Sequence, residues 1–166
     1  MKAIRVHETG GPDVLRYEEV ELPPPAPGQV RVRHTAIGVN FIDTYHPSGL
    51  YKLPLPTGLG SEAAGVVEAL GDGVATLKKG DRVAYAGTIG AYAEANNVPA
   101  DKLVKLPENV SDDAAAASLL KGMTVQYLLT RTYKGKPGET SRGHAAAGGV
   151  GRICGQWAKH IGATGI

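Results

Sequence analysis

Cysteine, phenylalanine and tryptophan each occur once in the 166 residues, the cysteine at Cys154. One cysteine excludes an internal disulfide framework and any multi-cysteine zinc site, and makes a reducing cytoplasm the default setting. No run of about 18 apolar residues occurs, so no membrane span is expected. The opening MKAIRVHETGG has no apolar stretch after its basic residues, and no secretory signal is expected. A basic stripe is also missing from residues 1–130, where 12 Lys/Arg face 15 Asp/Glu, a balance of −3; nucleic acid is not indicated as a partner. Residues 131–166 lean the other way, with 6 Lys/Arg against the single acid Glu139. Such a tail suits either an anionic ligand or an ordinary solvated surface.

What is abundant is glycine (23) and proline (11), together about a fifth of the chain, against an average of about 12%. Both fall at irregular intervals within apolar runs, which argues against collagen or low complexity and for short strands joined by tight turns. Lys2–His7 and Val14–Leu22 are predicted strands separated by Gly10-Gly11-Pro12. Leu22–Gly28 is a stiff proline-rich segment, and Val30 and Val32 alternate with Arg31 and Arg33 as in a half-buried strand. Asn40–Tyr51 is predicted as a short helix and loop. Glu62–Leu70 is a strand closing on a hairpin-type turn at Gly71-Asp72-Gly73. Asp81–Ala86, Ala91–Val98 and Lys102–Leu106 continue the rhythm. Asn109-Val-Ser111-Asp-Asp then opens a helical stretch, with Gly122 as an expected break between two helices. A final helix is predicted over Arg152–Ile161 after the glycine-rich His144–Gly151.

That loop fills the pattern of a dinucleotide-binding turn, with Ala146, Gly148 and Gly151 in the three small-residue places and Ala147, Gly149 and Val150 between them. Small residues there allow a tight turn, close approach of backbone to pyrophosphate and close helix packing, and the following helix would aim its N-terminus at the phosphates. By itself the pattern also fits a small-residue turn that packs a helix on a strand.

Several motifs in order narrow the choice: AIGVNFIDTY (36–45), SGLY (48–51), GLGSEAAGVVEALGDGV (58–74), GDRVAY (80–85), AAAASLLKGMTVQYLL (114–129), HAAAGGVG (144–151) and CGQWAK (154–159). Their combination resembles the zinc-independent, zeta-crystallin-like NADPH:quinone oxidoreductases of the medium-chain dehydrogenase/reductase superfamily. The resemblance runs along the whole chain. It implies a mainly β fold with some α, a GroES-like β-barrel catalytic domain over residues 1–125, followed over 126–166 by the first, incomplete βαβ unit of a Rossmann domain. It further implies NADPH as cofactor, a quinone or activated alkene as acceptor, a cytoplasmic setting, and frequent homodimers through a sheet edge that this chain lacks. Zinc-dependent relatives carry a Cys just after the stretch matching Gly38-Val39 and a His before the Glu matching Glu62. Here these regions hold Asn40 and Ser61, so no metal is expected.

By the same resemblance Asn40, Tyr45 and Tyr51 are the expected catalytic residues on the acceptor side. Asn40, Thr124 and Ala146–Gly151 are the expected cofactor-binding residues. Tyrosine hydroxyls would bond a quinone oxygen or relay a proton; each could equally be an amphipathic packing residue. Asp43 is expected to cap a nearby turn, Lys121 to be a solvated charge, His144 a strand-end residue, and Cys154 a packing residue. His46 and Pro47 depart from the family pattern. Family members are roughly twice as long, so the chain is expected to be their N-terminal half and to bind NADPH poorly alone. A strand entering such a loop should be an apolar run, yet Glu139–Gly143 contains Arg142, and Arg152, Gly155, Asp112 and Gly165 are similarly out of pattern. One explanation is that surfaces facing the missing half became polar. An enoyl or alkenal double-bond reductase and a non-catalytic β-barrel module remain as alternatives.

Overall fold

The computed structural model describes residues 1–165. It divides into two compact units, Met1–Ala117 and Ser118–Ile166. The first contains β1 (Lys2–Val6), β2 (Leu15–Glu19), β3 (Gln29–Gly38), β4 (Thr57–Gly58), β5 (Glu62–Leu70), β6 (Arg82–Ala86), β7 (Ala95–Pro99) and β8 (Val104–Lys105). Short 3-10 turns cover Pro12–Val14, Phe41–Thr44 and Ala100–Lys102. The strands form a three-stranded sheet, β2-β1-β4, and a five-stranded sheet, β7-β3-β5-β6-β8, antiparallel throughout. This is the mainly β architecture expected from the turn-rich composition.

Alternation along β3 does the sorting: Val30 and Val32 are buried while Arg31 and Arg33 point away. Their inward faces meet Ala63, Val67, Val83, Tyr85, Ala91 and Val98 in one core. The β3–β5 register shifts twice, between Arg31 and Val32 and between His34 and Ala36. Gly65 serves the second shift, because a Cβ there would lie 2.1 Å from the Arg33 carbonyl oxygen. Arg31 uses its outward position to hold the proline-rich segment. Its guanidinium donates to the carbonyls of Leu22 (2.9 Å) and Pro23 (2.5 Å) and to Asn97 Oδ1 (3.3 Å). At the other end of that segment Gly28 N–H donates to Asp72 O and Gly71 N–H to Gln29 O.

The Gly71-Asp72-Gly73 signal therefore serves a different end from the expected tight hairpin. β5 reaches β6 through a loop, and its glycine lets the backbone close on Ala26, whose carbonyl oxygen would be 2.0 Å from a Cβ at Gly71. The strand expected over Ala91–Val98 begins at Ala95, and Ala93 instead makes an isolated bridge to Ala3.

α1 (Asp112–Tyr127) starts where the sequence places it. Ser111 caps it, its Oγ accepting from Ala114 N–H at 3.1 Å. Asp112 is not an unpaired polar intrusion. Its carboxylate accepts from Thr35 Oγ (2.6 Å) and from Arg82 Nε and Nη2 (3.0 and 2.5 Å). The Thr35 hydroxyl first, and Arg82 with it, hold its pKa below the usual carboxylate range. The expected break at Gly122 does not occur: α1 runs through it and gives way only at Leu128–Thr132, a single π-type turn. One glycine costs a helix only about 1 kcal/mol, too little to stop a run this long.

The second unit continues with β9 (Thr140–Ser141), α2 (Gly149–His160) and β10 (Thr164–Gly165). β9 and β10 are parallel, Thr164 opposite Thr140 and Gly165 opposite Ser141, with α2 between them in sequence. α2 starts earlier than the predicted Arg152 because Gly148 is its N-cap residue. Of the predicted strand Glu139–Gly143 only two residues pair; Arg142 is exposed beyond it, and Arg152 is exposed on α2. The out-of-pattern Gly165 falls in β10, and Ile166 lies outside the described residues.

Candidate functional site

In the first unit the expected site residues gather after β3. Asn40 precedes the Phe41–Thr44 turn and Tyr45 ends it. Asp43, buried, reaches back with Oδ2 to accept the Asn40 backbone N–H at 2.9 Å, as a turn-capping aspartate does. Its role is wider than the expected cap. Oδ2 also accepts from the Tyr92 hydroxyl (2.8 Å) and Oδ1 from Ser61 Oγ (2.8 Å). Burial first, and the Asp43 carboxylate after it, push the Tyr92 phenol well above its ordinary pKa, so it remains a donor. Tyr92 can reach Asp43 because Gly60 (φ +80°) leaves room for its ring; a Cβ at Gly60 would lie 2.2 Å from Tyr92 Cδ1.

Asn40 is buried as well, and its Nδ2 donates to Glu62 Oε2 at 2.8 Å. Around it runs a row of rings: Phe41 to Tyr45 at 5.4 Å, Tyr45 to Tyr51 at 5.2 Å and His46 to Tyr51 at 6.3 Å, all edge-on. Tyr51 N–H closes the loop on Tyr45 O. Phe41 is 75% and Tyr51 49% exposed. The phenol oxygens of Tyr45 and Tyr51 have no hydrogen-bond partner among the described residues. The structure thus brings Asn40, Tyr45 and Tyr51 onto one short segment with open aromatic faces and free hydroxyls. A cavity of about 570 Å³, lined among others by His34, Ile37, Val39 and Tyr92, shares Tyr92 with the Asp43 network.

Sequence reasoning passed over Glu62 and Tyr92 as functional supports. Glu62 did leave a signal, as the one charge inside an otherwise small and apolar run, Leu59–Val67. Tyr92 left none, since its partner is 49 positions away. Among the described residues no three His, Cys, Asp or Glu side chains converge in a way that could hold a metal ion.

In the second unit the glycine loop is close-packed. Ala145 takes a left-handed φ of +54°, and Gly148 N–H bonds back to Ala145 O at 2.9 Å. A Cβ at Gly151 would lie 2.5 Å from Ala145 O and 2.6 Å from Ala146 Cα, so only glycine lets the first turn of α2 seat against the loop. At Gly149 it is the Lys121 methylenes that fill the space. Arg152, out of pattern for a buried helix face, folds back instead, its Nε donating to Ala147 O at 3.0 Å. Ala146, Ala147, Gly148, Gly149, Val150 and Gly151 therefore form one continuous turn into the N-terminus of a 12-residue helix. The first N–H groups of such a helix have no intrahelical acceptor, which is what suits a helix N-terminus to an anion. Thr124 is on α1, with its hydroxyl donating to Leu120 O at 2.9 Å.

Comparison with known proteins finds relatives along almost the whole chain. Residues 26–108 match the family model described as the alcohol dehydrogenase GroES-like domain. A quinone oxidoreductase of Pseudomonas aeruginosa is 55% identical over 163 residues, 97% of this chain and 50% of the relative. A 2-haloacrylate reductase of a Burkholderia species is 50% identical over 167 residues, 96% of this chain and 50% of the relative. The crystal structure of Escherichia coli quinone oxidoreductase complexed with NADPH superposes with a TM-score of 0.97 at 52% identity, covering 99% of this chain and 51% of that one. The chain spans about half the length of the curated relatives it matches.

Proposed function

The chain belongs to the alcohol dehydrogenase GroES-like domain family, and we propose that it serves an NADPH-dependent reduction of quinones, with residues 1–125 as the acceptor-binding portion and 126–166 as the start of the dinucleotide-binding portion. The observation that carries this is the loop at Ala146–Gly151, whose backbone closes so tightly on α2 that Gly151 admits no side chain, as a pyrophosphate-binding turn requires. Support comes from the likeness to a quinone oxidoreductase crystallised with NADPH. NADPH, when bound, supplies the hydride; the protein has only to hold two planar molecules in register.

The rest is the work of this chain's own side chains. Asn40 offers a carboxamide toward the nicotinamide or its ribose. The uncommitted hydroxyls of Tyr45 and Tyr51 hold the quinone oxygens, and the exposed Phe41 ring gives the acceptor a flat apolar surface. Thr124 lies along the cofactor. In the regions where zinc-dependent relatives keep their ligands, Asn40 and Ser61 instead give hydrogen bonds to Glu62 and Asp43. Amide and hydroxyl donors are a poor set for a tetrahedral zinc, which supports a reaction without metal.

Titrating NADPH into the protein while following Trp157 fluorescence tests the cofactor half of the proposal. Saturable quenching is expected, weakened at least tenfold in Gly151→Ala; equal quenching in both proteins would overturn it. The Burkholderia likeness favours a second acceptor class, activated alkenes. Consumption of NADPH with benzoquinone against 2-chloroacrylate separates the two.

A further inference from the structure

His46 and Pro47 break the pattern of the segment that carries Tyr45 and Tyr51, yet the fold holds them closely. Pro47 is buried, and its carbonyl accepts from Gly10 N–H at 2.8 Å. The His46 carbonyl accepts from Gly49 N–H at 3.1 Å. Tyr45 O accepts from both Ser48 Oγ and Tyr51 N–H, each at 3.1 Å. The backbone on either side of His46 is thus tied, and its ring meets Tyr51 edge-on at 6.3 Å. None of these contacts uses an imidazole nitrogen. Nδ1 is sealed in without a hydrogen-bond partner. Nε2 also has no partner among the described residues, but it is not sealed in. Burying an unpaired imidazole nitrogen costs free energy, and packing alone would be met better by an apolar ring.

The sealed side bears on where the ring keeps its proton. A neutral imidazole has one N–H and one lone pair. Among backbone groups an orphaned buried N–H is rarer than an under-satisfied acceptor. The same preference leaves the lone pair on Nδ1 and the proton on Nε2, where an incoming acceptor can take its hydrogen bond. Nε2 then joins the hydroxyls of Tyr45 and Tyr51 as a third donor on one row of rings, with no protein group to receive it. We propose that His46 is a further acceptor-binding residue: its Nε2–H donates to a carbonyl oxygen of the bound quinone. All three side chains belong to the first unit. This rests on the reading of Tyr45 and Tyr51 as acceptor residues given above.

The test uses the ¹⁵N-labelled chain and duroquinone, whose fully methylated ring leaves no open position for a thiol to attack. His46→Phe keeps the ring against Tyr51 and removes both nitrogens. His46→Gln places an amide nitrogen near the position of Nε2, and His46→Asn near that of Nδ1. In the parent protein the His46 ring signals, identified by their loss in His46→Phe, are expected to show the proton on Nε2. Duroquinone is expected to shift Nε2 together with the amides of Tyr45 and Tyr51. Binding is expected to weaken about tenfold in His46→Phe and His46→Asn, the worth of one net hydrogen bond. His46→Gln is expected to stay within about threefold of the parent. A proton found on Nδ1 overturns the proposal. So does undiminished binding in His46→Phe, or a rescue by asparagine in place of glutamine. If duroquinone shifts Tyr45 and Tyr51 but leaves Nε2 unmoved, the His46 assignment fails and the acceptor reading stands. If it shifts none of the three, the acceptor reading fails and this proposal with it.

Discussion

Asp43 accepts hydrogen bonds from three separate segments: the Asn40 backbone, Ser61 and Tyr92. Removing the acceptor strands all three donors in a buried place, at about 1–3 kcal/mol each when unsatisfied. Asp43→Ala is therefore expected to destabilise by about 3–5 kcal/mol, read as a lower urea midpoint with unchanged slope. His34 is held differently. Its Nδ1 lies 2.7 Å from Ala93 O, to which it donates, so Nε2 of the neutral ring is the acceptor for the Tyr85 hydroxyl at 2.9 Å. Burial pushes its pKa below the ordinary 6.5, the Ala93 bond opposing in part. The unfolded chain then takes up the proton first, so stability is full above about pH 6.5 and falls as the pH drops from there toward the folded pKa. Thermal melts between pH 8 and 5 are expected to show that decline, and His34→Gln to flatten it. The Asp43 site was half legible. The Asp43 cap could be anticipated from the local pattern, whereas Ser61 and Tyr92 come to it across 18 and 49 positions, a separation that no local pattern encodes.

At the scale of elements, legibility followed the strength of the local signal. β3 and β5 were readable because one alternates and the other is a long small and apolar run. Ser111 fixed the start of α1 through its side-chain cap. Glycine was the ambiguous letter. The same residue type closes the chain against Ala26 at Gly71, serves a register shift at Gly65, and at Gly122 does nothing a side chain would disturb, since a Cβ there meets no atom within 4 Å. Gly122→Ala is accordingly expected to stabilise by about 0.5–1 kcal/mol, raising the melting temperature without altering the far-ultraviolet spectrum. A fall in melting temperature would mean that the helix at Gly122 is constrained in a way its open surroundings do not suggest.

For the molecule as a whole, the two units differ in how their backbone bonds are secured. In Met1–Ala117 the central strands β3, β5 and β6 are paired on both sides and closed over by Val30, Val32, Val67 and Val83, all with 0–1% exposure. In Ser118–Ile166 the parallel pair is two residues long and the buried apolar side chains are few, Val125 and Ala158 among them. Native-state hydrogen exchange is expected to divide along that line. The slowest amides should belong to β3, β5 and β6, and those of α2 should open with a smaller dependence on denaturant; uniform protection across both units would contradict this. The overall class and the glycine turn were legible because composition and small-residue spacing carry them. The placing of polar residues such as Arg142, Arg152 and Asp112 was not, because only the folded chain shows that two are exposed and the third is paired. The clamp of Arg31 on Leu22 and Pro23, with Gly28 and Gly71 tied at the far end, bears on natural variation. The proline-rich strap is anchored to the sheet at both ends, so an insertion within it would have to bulge outward or break one anchor. Length changes that accumulate among relatives should fall in other loops, leaving this segment a fixed ruler between β2 and β3.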